Sequence, residues 1–305
     1  MIEGLIPVML TPFKADLSVN WEGMDSLVDF YIRAGSAHLF TCCLSSEMYE
    51  LDSDERLALA RRVAARAKSS GFTGQILASG TFGGPIPAQA DFARRMHDAG
   101  ADIVVILANQ IVSADDSSED FRRRLAAFNA MTDDIPLGLY ECPAPYHRLI
   151  DLDTLDDCVK SRRYRYLKET SRDRGIIRKK IASARGTPLS VCNAYLLGID
   201  DFYRDGGRGM SPVAANYIPQ VFSEYHKAFL AGDDRAAELC GQFARLDTII
   251  RYEYPHSAKW FLNSRGIGIQ QYCRKKPKHE LKPEALNEMA RALLEIEDRL
   301  ALPTL

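Results

Sequence analysis

The sequence lacks several features that mark particular classes of protein. Its seven cysteines are odd in number and contain no C-x-x-C pair, which argues against a disulfide framework and a zinc-finger spacing. The amino-terminal segment has no basic stretch, and its apolar run is too short for a signal peptide or a membrane span. A formal net charge of -2 gives no global attraction to nucleic acid or to an anionic membrane. We therefore expect a cytoplasmic protein with reduced thiols and without nucleic-acid or membrane partners.

What is present is the composition of a globular chain. Hydrophobic residues make up 46% of the 305 residues and charged residues 26%, so a sizeable core can form. Two local basic runs, 178–185 and 274–282, are expected to form a solvated helix face and an exposed loop. Because no long Gly-, Ser- or Pro-rich linker interrupts the chain, we expect one continuous unit.

Short apolar runs alternate with amphipathic segments along most of the chain. The runs begin at Leu5, Ala37, Gly74, Asp102, Ile135, Tyr164, Leu189 and Gly207. Their shortness suits strands that are buried on both faces. The segments between them carry helix signals, such as Ser53 as a cap before acidic residues and Gly71 as a stop.

Eight strand–helix units by about residue 232 predict an α/β fold, a parallel (β/α)8 TIM barrel spanning 1–232. Residues 233–305 read as a C-terminal helical extension. An open doubly wound sheet is the competing architecture, but no glycine-rich fingerprint follows the first strand. One barrel with a helical subdomain is favoured over two independent domains.

Functional side chains of such barrels lie at the C-terminal ends of the strands. The predicted ends offer the amine of Lys168, the phenol of Tyr140 and several hydroxyls. Two carboxylates, Glu47 and Glu141, lack histidine support, so no metal site is predicted. A Ser–His–Asp triad is not supported either, because no histidine falls beside a serine at a strand end.

The histidines divide into two groups. Only His147 and His256 have a claim to the rim of the site. The others are expected to be packing or surface residues: His38, His97, His226 and His279.

A lysine at a barrel strand end has two interpretations. Its amine can attack a ketone and form a Schiff base, which acts as an electron sink for an adjacent C–C bond. Attack needs the neutral amine, and an apolar interior lowers its pKa. A nearby phenol such as Tyr140 can shuttle protons. Alternatively, Lys168 is a salt-bridged strand-end charge and Tyr140 an interior aromatic, and position alone does not decide between these interpretations.

Five segments, in order along nearly the whole chain, add a resemblance. The chain resembles the pyruvate-dependent class I aldolase family of dihydrodipicolinate synthase and N-acetylneuraminate lyase. The segments are TPF (11–13), SSEMYELDSDER (45–56), IPLGLYECP (135–143), YLKET (166–170) and GGRGMSPVAANYIP (206–219).

The resemblance implies a TIM barrel with a C-terminal helical subdomain, usually assembled as a homotetramer of tight dimers, and no cofactor. It implies a 2-keto acid bound covalently to Lys168, with Tyr140 as the general acid and base. Ser45 and Ser46 would hold the carboxylate. The rest of the substrate would touch Asn193, Glu141 or Ser211.

Departures from the family pattern are as informative as the matches. Leu44 replaces a hydroxyl of the family's proton relay, and Ile111 replaces the tyrosine that one subunit lends its partner. Pro145 stands where the synthase has an arginine for its amino-acid semialdehyde, which argues against dihydrodipicolinate synthesis. On strand seven, Cys192-Asn193-Ala194 replaces the usual Gly-Asp pattern.

Three functional hypotheses follow. The leading one is a Schiff-base lyase that cleaves or dehydrates a 2-keto-3-deoxy acid, or acts on pyruvate. The second is a catalytically weak binding or regulatory protein on the same scaffold. The third is a phosphate-binding barrel isomerase that uses the glycines of GGRGMS, although tight turns explain those glycines equally well.

Overall fold

Eight parallel strands form one sheet in the computed structural model, which describes residues 1–277, 280–303 and 305. The strands are β1 (Gly4–Leu5), β2 (Leu39–Thr41), β3 (Ile76–Ser79), β4 (Ile103–Leu107), β5 (Leu137–Tyr140), β6 (Tyr164–Glu169), β7 (Ser190–Asn193) and β8 (Gly209–Met210). Consecutive strands pair from β2 to β8, and β8 pairs with β1. A parallel bridge between Val8 and Phe40 joins the segment after β1 to β2. The predicted (β/α)8 barrel is confirmed.

Helices surround this sheet. Those of the barrel are α1 (Trp21–Arg33), α2 (Ser53–Ser69), α3 (Ile86–Asp98), α4 (Ala108–Ile111), α5 (Ser118–Ala130), α6 (Leu152–Ser161), α7 (Arg174–Ala184), α8 (Ile199–Arg204) and α9 (Gln220–Ala231). The C-terminal helices are α10 (Arg235–Cys240), α11 (Phe243–Ile249), α12 (His256–Ser264) and α13 (Pro283–Arg299). Within the described part of the chain, none of them combines the length and apolarity needed to cross a membrane.

Local sequence explains where the barrel helices begin. Asp52, rather than the expected Ser53, caps α2, because its carboxylate accepts a hydrogen bond from the Glu55 N–H. Glu55 accepts one from the Asp52 N–H in return, which completes a capping box. Ser117 and Asp120 form the same arrangement at the start of α5. Each such cap stabilises its helix by about 1 kcal/mol.

The interior of the barrel is packed with apolar and aromatic side chains rather than open. Phe40 lies at its centre, with its ring centroid 6.2 Å from that of Tyr140 and 5.9 Å from that of Tyr166, both edge-on. Three thiols, those of Cys43, Cys142 and Cys192, are buried in the same cluster. All seven cysteines are free and only Cys240 is partly exposed, which agrees with their predicted role as small core residues.

Buried charges attach the C-terminal helices to the barrel. The Lys259 ammonium of α12 donates to the Glu47 carboxylate at 2.6 Å, and both side chains are almost fully buried. Arg274 binds both oxygens of Glu55 at 2.6 Å. Both cations also lie over the ring of Phe13. The extension therefore fixes the loop that follows β2, while the division of the chain at residue 232 stays a prediction.

Candidate active site

A cavity of about 640 Å³ opens at the C-terminal ends of the strands. Loops after β2, β5, β6 and β7 line it together with the segment between α11 and α12. Its walls include Leu44, Ser45, Tyr140, His147, Lys168, Thr170, Arg172, Tyr195, Tyr254, His256 and Lys275. The barrel and the C-terminal extension thus share one site.

Lys168 and Tyr140 are brought together by the register of two neighbouring strands. β5 pairs with β6 so that Tyr140 lies opposite Lys168. The Lys168 Nζ is 4.7 Å from the centroid of the Tyr140 ring and 6.0 Å from that of Phe40. Lys168 is only 4% exposed, and it forms no ion pair with any carboxylate of the described residues. The interpretation as a salt-bridged strand-end lysine therefore fails.

Burial decides the protonation of this pair. It lowers the pKa of Lys168 from 10.5 to about 8, against the weaker opposing influence of the Cys43, Cys142 and Cys192 thiols. Roughly a quarter of the amine is then neutral at about pH 7.5, against about one part in a thousand at the ordinary pKa. Burial raises the pKa of Tyr140 well above 10, so this phenol keeps its proton. The site therefore holds a partly neutral amine next to a protonated phenol.

The two serines after β2 have different positions. Ser45 lines the cavity. Ser46 does not, because its hydroxyl donates to the Met9 carbonyl at 2.6 Å and accepts from the Cys43 N–H at 3.1 Å. The sequence-based expectation that Ser46 contacts a substrate carboxylate is therefore wrong. The Ser46 hydroxyl instead holds the turn over residues 44–46.

Leu44 and the backbone of the same turn complete this wall. The Leu44 side chain faces the cavity, where it offers no atom that can transfer a proton. The N–H groups of Leu44 and Ser45 donate to no other atom in the described part of the chain. Two N–H groups and one hydroxyl therefore remain available for an anion.

Asn193 and Ser211 do not reach the cavity, contrary to expectation. The Ser211 hydroxyl is 2.8 Å from that of Tyr166, and both are fully buried. The side-chain oxygen Oδ1 of Asn193 accepts a hydrogen bond from the Tyr195 N–H at 2.7 Å. The side-chain nitrogen Nδ2 has no partner among residues 1–277, 280–303 and 305. Asn193 instead sets the start of the β7 loop, which carries Tyr195 to the cavity.

The expectation that Glu141 contacts the substrate is also wrong, because this residue does not line the cavity. Its carboxylate is fully buried between β5, β6 and α7, where it forms an ion pair with Lys180. Lys180 also lies 3.2 Å from the carboxylate of Glu169. Glu141 further accepts hydrogen bonds from the N–H groups of Ile150 and Thr170, at 2.8 and 3.0 Å. It supports the strand ends from behind and does not line the cavity.

Both rim histidines lie where the sequence suggested. His147 Nε2 is 2.8 Å from the Thr170 hydroxyl, and burial lowers the pKa of this imidazole. His256 lines the same cavity and contacts the Lys276 carbonyl through Nε2, at 3.0 Å. His279 lies outside the described residues.

Ile111, which the sequence singled out, is buried and does not line the cavity. Two other residues support the site without a local sequence signal. Asn109 donates through Nδ2 to the carbonyls of Cys142, Ala144 and Tyr146 at 2.7–2.8 Å, which holds the loop after β5. Tyr254 reaches the site from the C-terminal extension. Such contacts depend on tertiary packing, so strand-end positions could not reveal them.

The (β/α)8 fold with a buried amine beside a phenol at its strand ends is compatible with a barrel enzyme of the aldolase type. Comparison with known proteins makes this assignment more specific: the model of the Dihydrodipicolinate synthetase family matches residues 1–296. The chain belongs to that family, and it is a lyase.

Relatives cover nearly the whole chain at low identity. A 4-hydroxy-tetrahydrodipicolinate synthase of Nitrosococcus oceani is 24% identical over 280 residues, which cover 88% of this chain and 90% of the relative. An uncharacterized DapA-like lyase of Thermococcus kodakarensis is 23% identical and covers 96% of this chain and 99% of its own. Among solved structures, the E. coli K12 prophage protein YagE in complex with pyruvate has a TM-score of 0.86 and 21% identity, and the match covers 97% of this chain and 99% of YagE. At that identity the structural likeness shows the fold.

Proposed function

We propose that the protein is a Schiff-base-forming lyase that acts on pyruvate or a 2-keto-3-deoxy acid. The observation that carries the proposal is the state of Lys168, which is buried at a strand end, unpaired with any described carboxylate and next to Tyr140. A lysine in that state is a poor structural cation and a good nucleophile.

The steps follow from these two groups. The neutral Nζ of Lys168 attacks the keto carbon: a C–N bond forms, the C=O π bond opens, and a proton moves from nitrogen to the carbonyl oxygen, which becomes a hydroxyl. This hydroxyl leaves as water after it takes a proton, which we assign to the phenol of Tyr140, whose ring centroid lies 4.7 Å from Nζ. In retro-aldol cleavage the C3–C4 bond then breaks, its electrons move to the iminium nitrogen, and the C4 hydroxyl loses its proton to give an aldehyde. In dehydration the C3 proton leaves first and the C4 hydroxyl departs from the enamine.

The wall after β2 suits the carboxylate of such a substrate. The Ser45 hydroxyl and the N–H groups of Leu44 and Ser45 are neutral donors, and hydrogen bonds to a carboxylate are stronger than those between neutral groups. They would orient the keto carbon toward Lys168.

A specific observation argues against synthesis of dihydrodipicolinate. Pro145 stands where the synthase has its arginine, and the neighbouring Arg148 cannot take over. Its guanidinium donates to the carbonyls of Asp116 and Ser117 at 2.6 and 3.0 Å. An amino-acid semialdehyde would therefore lack its carboxylate partner on this loop.

We also propose a cytoplasmic homo-oligomer, a homotetramer or a dimer, that needs no cofactor. The family resemblance supports this assembly. Light scattering on the purified protein measures it directly, and a monomeric mass would contradict it.

The alternative is a small-molecule-binding or regulatory protein on the same barrel. Leu44 favours it, because this side chain occupies the cavity wall without a proton-transferring atom. The two functions predict different fates for a bound keto acid: a pure binder releases it unchanged, and a lyase links it to Lys168.

Borohydride reduction in the presence of pyruvate tests the proposal. We expect intact mass to increase by one reduced pyruvate per chain and peptide mapping to place it on Lys168. Lys168→Ala should abolish the adduct, whereas Lys179→Ala, at an exposed lysine, should not. Folded wild-type protein that forms no adduct at saturating pyruvate would exclude covalent chemistry with this keto acid.

A further inference from the structure

A second phenol faces the cavity from outside the barrel. Tyr254 lies between α11 and α12, and it lines the same cavity as Ser45. It is partly buried; burial raises the pKa of its phenol, and the nearby Ser45 side chain lowers this pKa. The C-terminal extension therefore places a hydroxyl at the wall where we locate the substrate carboxylate.

The direction of the Tyr254 hydrogen bond is set by Asn216. The Asn216 amide nitrogen has two hydrogens, and it donates to the Val8 carbonyl at 2.9 Å and to the Tyr254 hydroxyl at 2.7 Å. The Asn216 carbonyl oxygen accepts from the Tyr31 hydroxyl at 2.5 Å. Because the amide orientation is fixed by its other partners, the Tyr254 oxygen is an acceptor toward Asn216.

The proton of Tyr254 must therefore point elsewhere. Burial raises the pKa of this phenol well above 10, with Ser45 acting in the opposite direction, so the group is a protonated donor near neutral pH. The Ser45 hydroxyl and the cavity are the directions left on its open side.

We propose that Tyr254 donates a hydrogen bond to the carboxylate of the bound 2-keto acid, beside Ser45. The inference rests on the proposed function, since that function supplies the keto acid. It assigns a substrate-binding residue to the C-terminal extension, and it makes the extension part of the site rather than a stabilising layer alone.

The chemistry of the wall supports a carboxylate as the acceptor. Ser45, Tyr254 and the two free N–H groups are all neutral donors, and no carboxylate of the described residues accepts a bond from any of them. Several neutral donors at one cavity wall, none of them paired with a carboxylate, suit an anion with two oxygens. The substrate part bound here would thus be its carboxylate, with the keto carbon toward Lys168.

The test compares Tyr254→Phe with wild type in borohydride trapping at graded concentrations of keto compound. Loss of a hydrogen bond to a charged group should raise the pyruvate concentration for half-maximal trapping by roughly 10- to 100-fold. Tyr217→Phe is the matched control: its phenol is buried next to Tyr254 and bonds Ser257 at 2.8 Å, outside the cavity. This control should leave the pyruvate concentration unchanged.

A second probe separates carboxylate binding from a structural effect. Acetone carries the same keto carbon without a carboxylate, so Tyr254→Phe should trap acetone as wild type does. An equal loss for acetone and pyruvate, or an unchanged response to pyruvate, would overturn the inference while the proposed function stands. If wild type traps neither compound, the proposed function fails. Calorimetry then measures the binding of pyruvate to wild type and to Tyr254→Phe. Equal binding by the two proteins, or no binding by either, overturns the inference.

Discussion

Replacing Lys180 by methionine should destabilise the protein through two buried carboxylates. Lys180 is fully buried in α7 and pairs with Glu141, which directly follows the end of β5 at Tyr140, and with Glu169, which directly follows Lys168 on β6. Methionine keeps most of the side-chain volume, so the change removes the charge and creates little cavity. Glu141 and Glu169 would then face each other without a cation.

The size of the effect follows from the burial. Removing one partner of a buried ion pair costs about 3–5 kcal/mol, because the remaining charge stays desolvated. With an unfolding entropy of about 2.1 cal/mol/K per residue, that loss lowers the melting temperature of a chain this long by about 5–8 °C. Lys179→Met, at the exposed neighbouring position, should stay within about 0.5 kcal/mol of wild type.

The pH dependence identifies the cause. Burial raises the folded-state pKa of Glu141, and Lys180 opposes that rise, so the variant should raise this pKa further. A carboxyl whose folded pKa lies above its unfolded value of about 4.5 binds more protons in the native state. The stability of the protein therefore falls as the pH rises from the unfolded pKa to the folded pKa. The loss in Lys180→Met should therefore be larger at pH 8 than at pH 5.5.

Denaturant unfolding of the two lysine variants at both pH values measures this. A loss that is equal at pH 8 and pH 5.5 would refute the assignment to unpaired carboxylates. So would a loss as small as that of Lys179→Met.

Two further predictions concern the reaction itself. Trapping of pyruvate by cyanoborohydride should accelerate with pH and level off above about pH 8. Attack needs the neutral amine of Lys168, and burial lowers the pKa of this amine to about 8. A rate that keeps rising toward pH 10 would contradict that pKa. Tyr140→Phe should slow trapping by roughly 100-fold or more, because the proton donor is lost. Tyr166→Phe loses an interior phenol outside the cavity and should trap at the wild-type rate. Mass spectrometry against time measures both variants, and equal rates would remove Tyr140 from the mechanism.

The barrel and its central pair were predictable from sequence for a simple reason. Parallel strands bring their carboxyl ends to one edge, so residues at the ends of successive apolar runs must meet there. Tyr140 and Lys168 end the fifth and sixth runs, and the observed register places them opposite each other. The alternation of a strand also explains the error at Glu141: consecutive side chains point to opposite faces, so a residue after an inward Tyr140 points outward.

The other site residues depend on contacts that no short pattern encodes. Lys180 belongs to a basic run for which the sequence predicts a solvated helix face. Its side chain is nevertheless buried, because α7 packs against the ends of two strands. Tyr254 belongs to a segment far along the chain from every strand, and its place at the cavity depends on how the extension docks through Glu47 and Lys259. Ser46 differs from Ser45 only in the direction that the turn gives its hydroxyl.

β5 and β6 separate the amine of Lys168 from the carboxylates of Glu141 and Glu169, and the proposed chemistry requires this separation. On the inner face, Lys168 and Tyr140 lie among thiols and aromatic rings, where no described carboxylate pairs with the amine and its pKa can fall. On the outer face, Glu141 and Glu169 are occupied by Lys180. A carboxylate that paired with Lys168 would keep the amine charged and unreactive. Strand alternation and the buried Lys180 together keep Glu141 and Glu169 on the outer side of the strands, whereas the amine of Lys168 lies on the inner side, where no described carboxylate pairs with it.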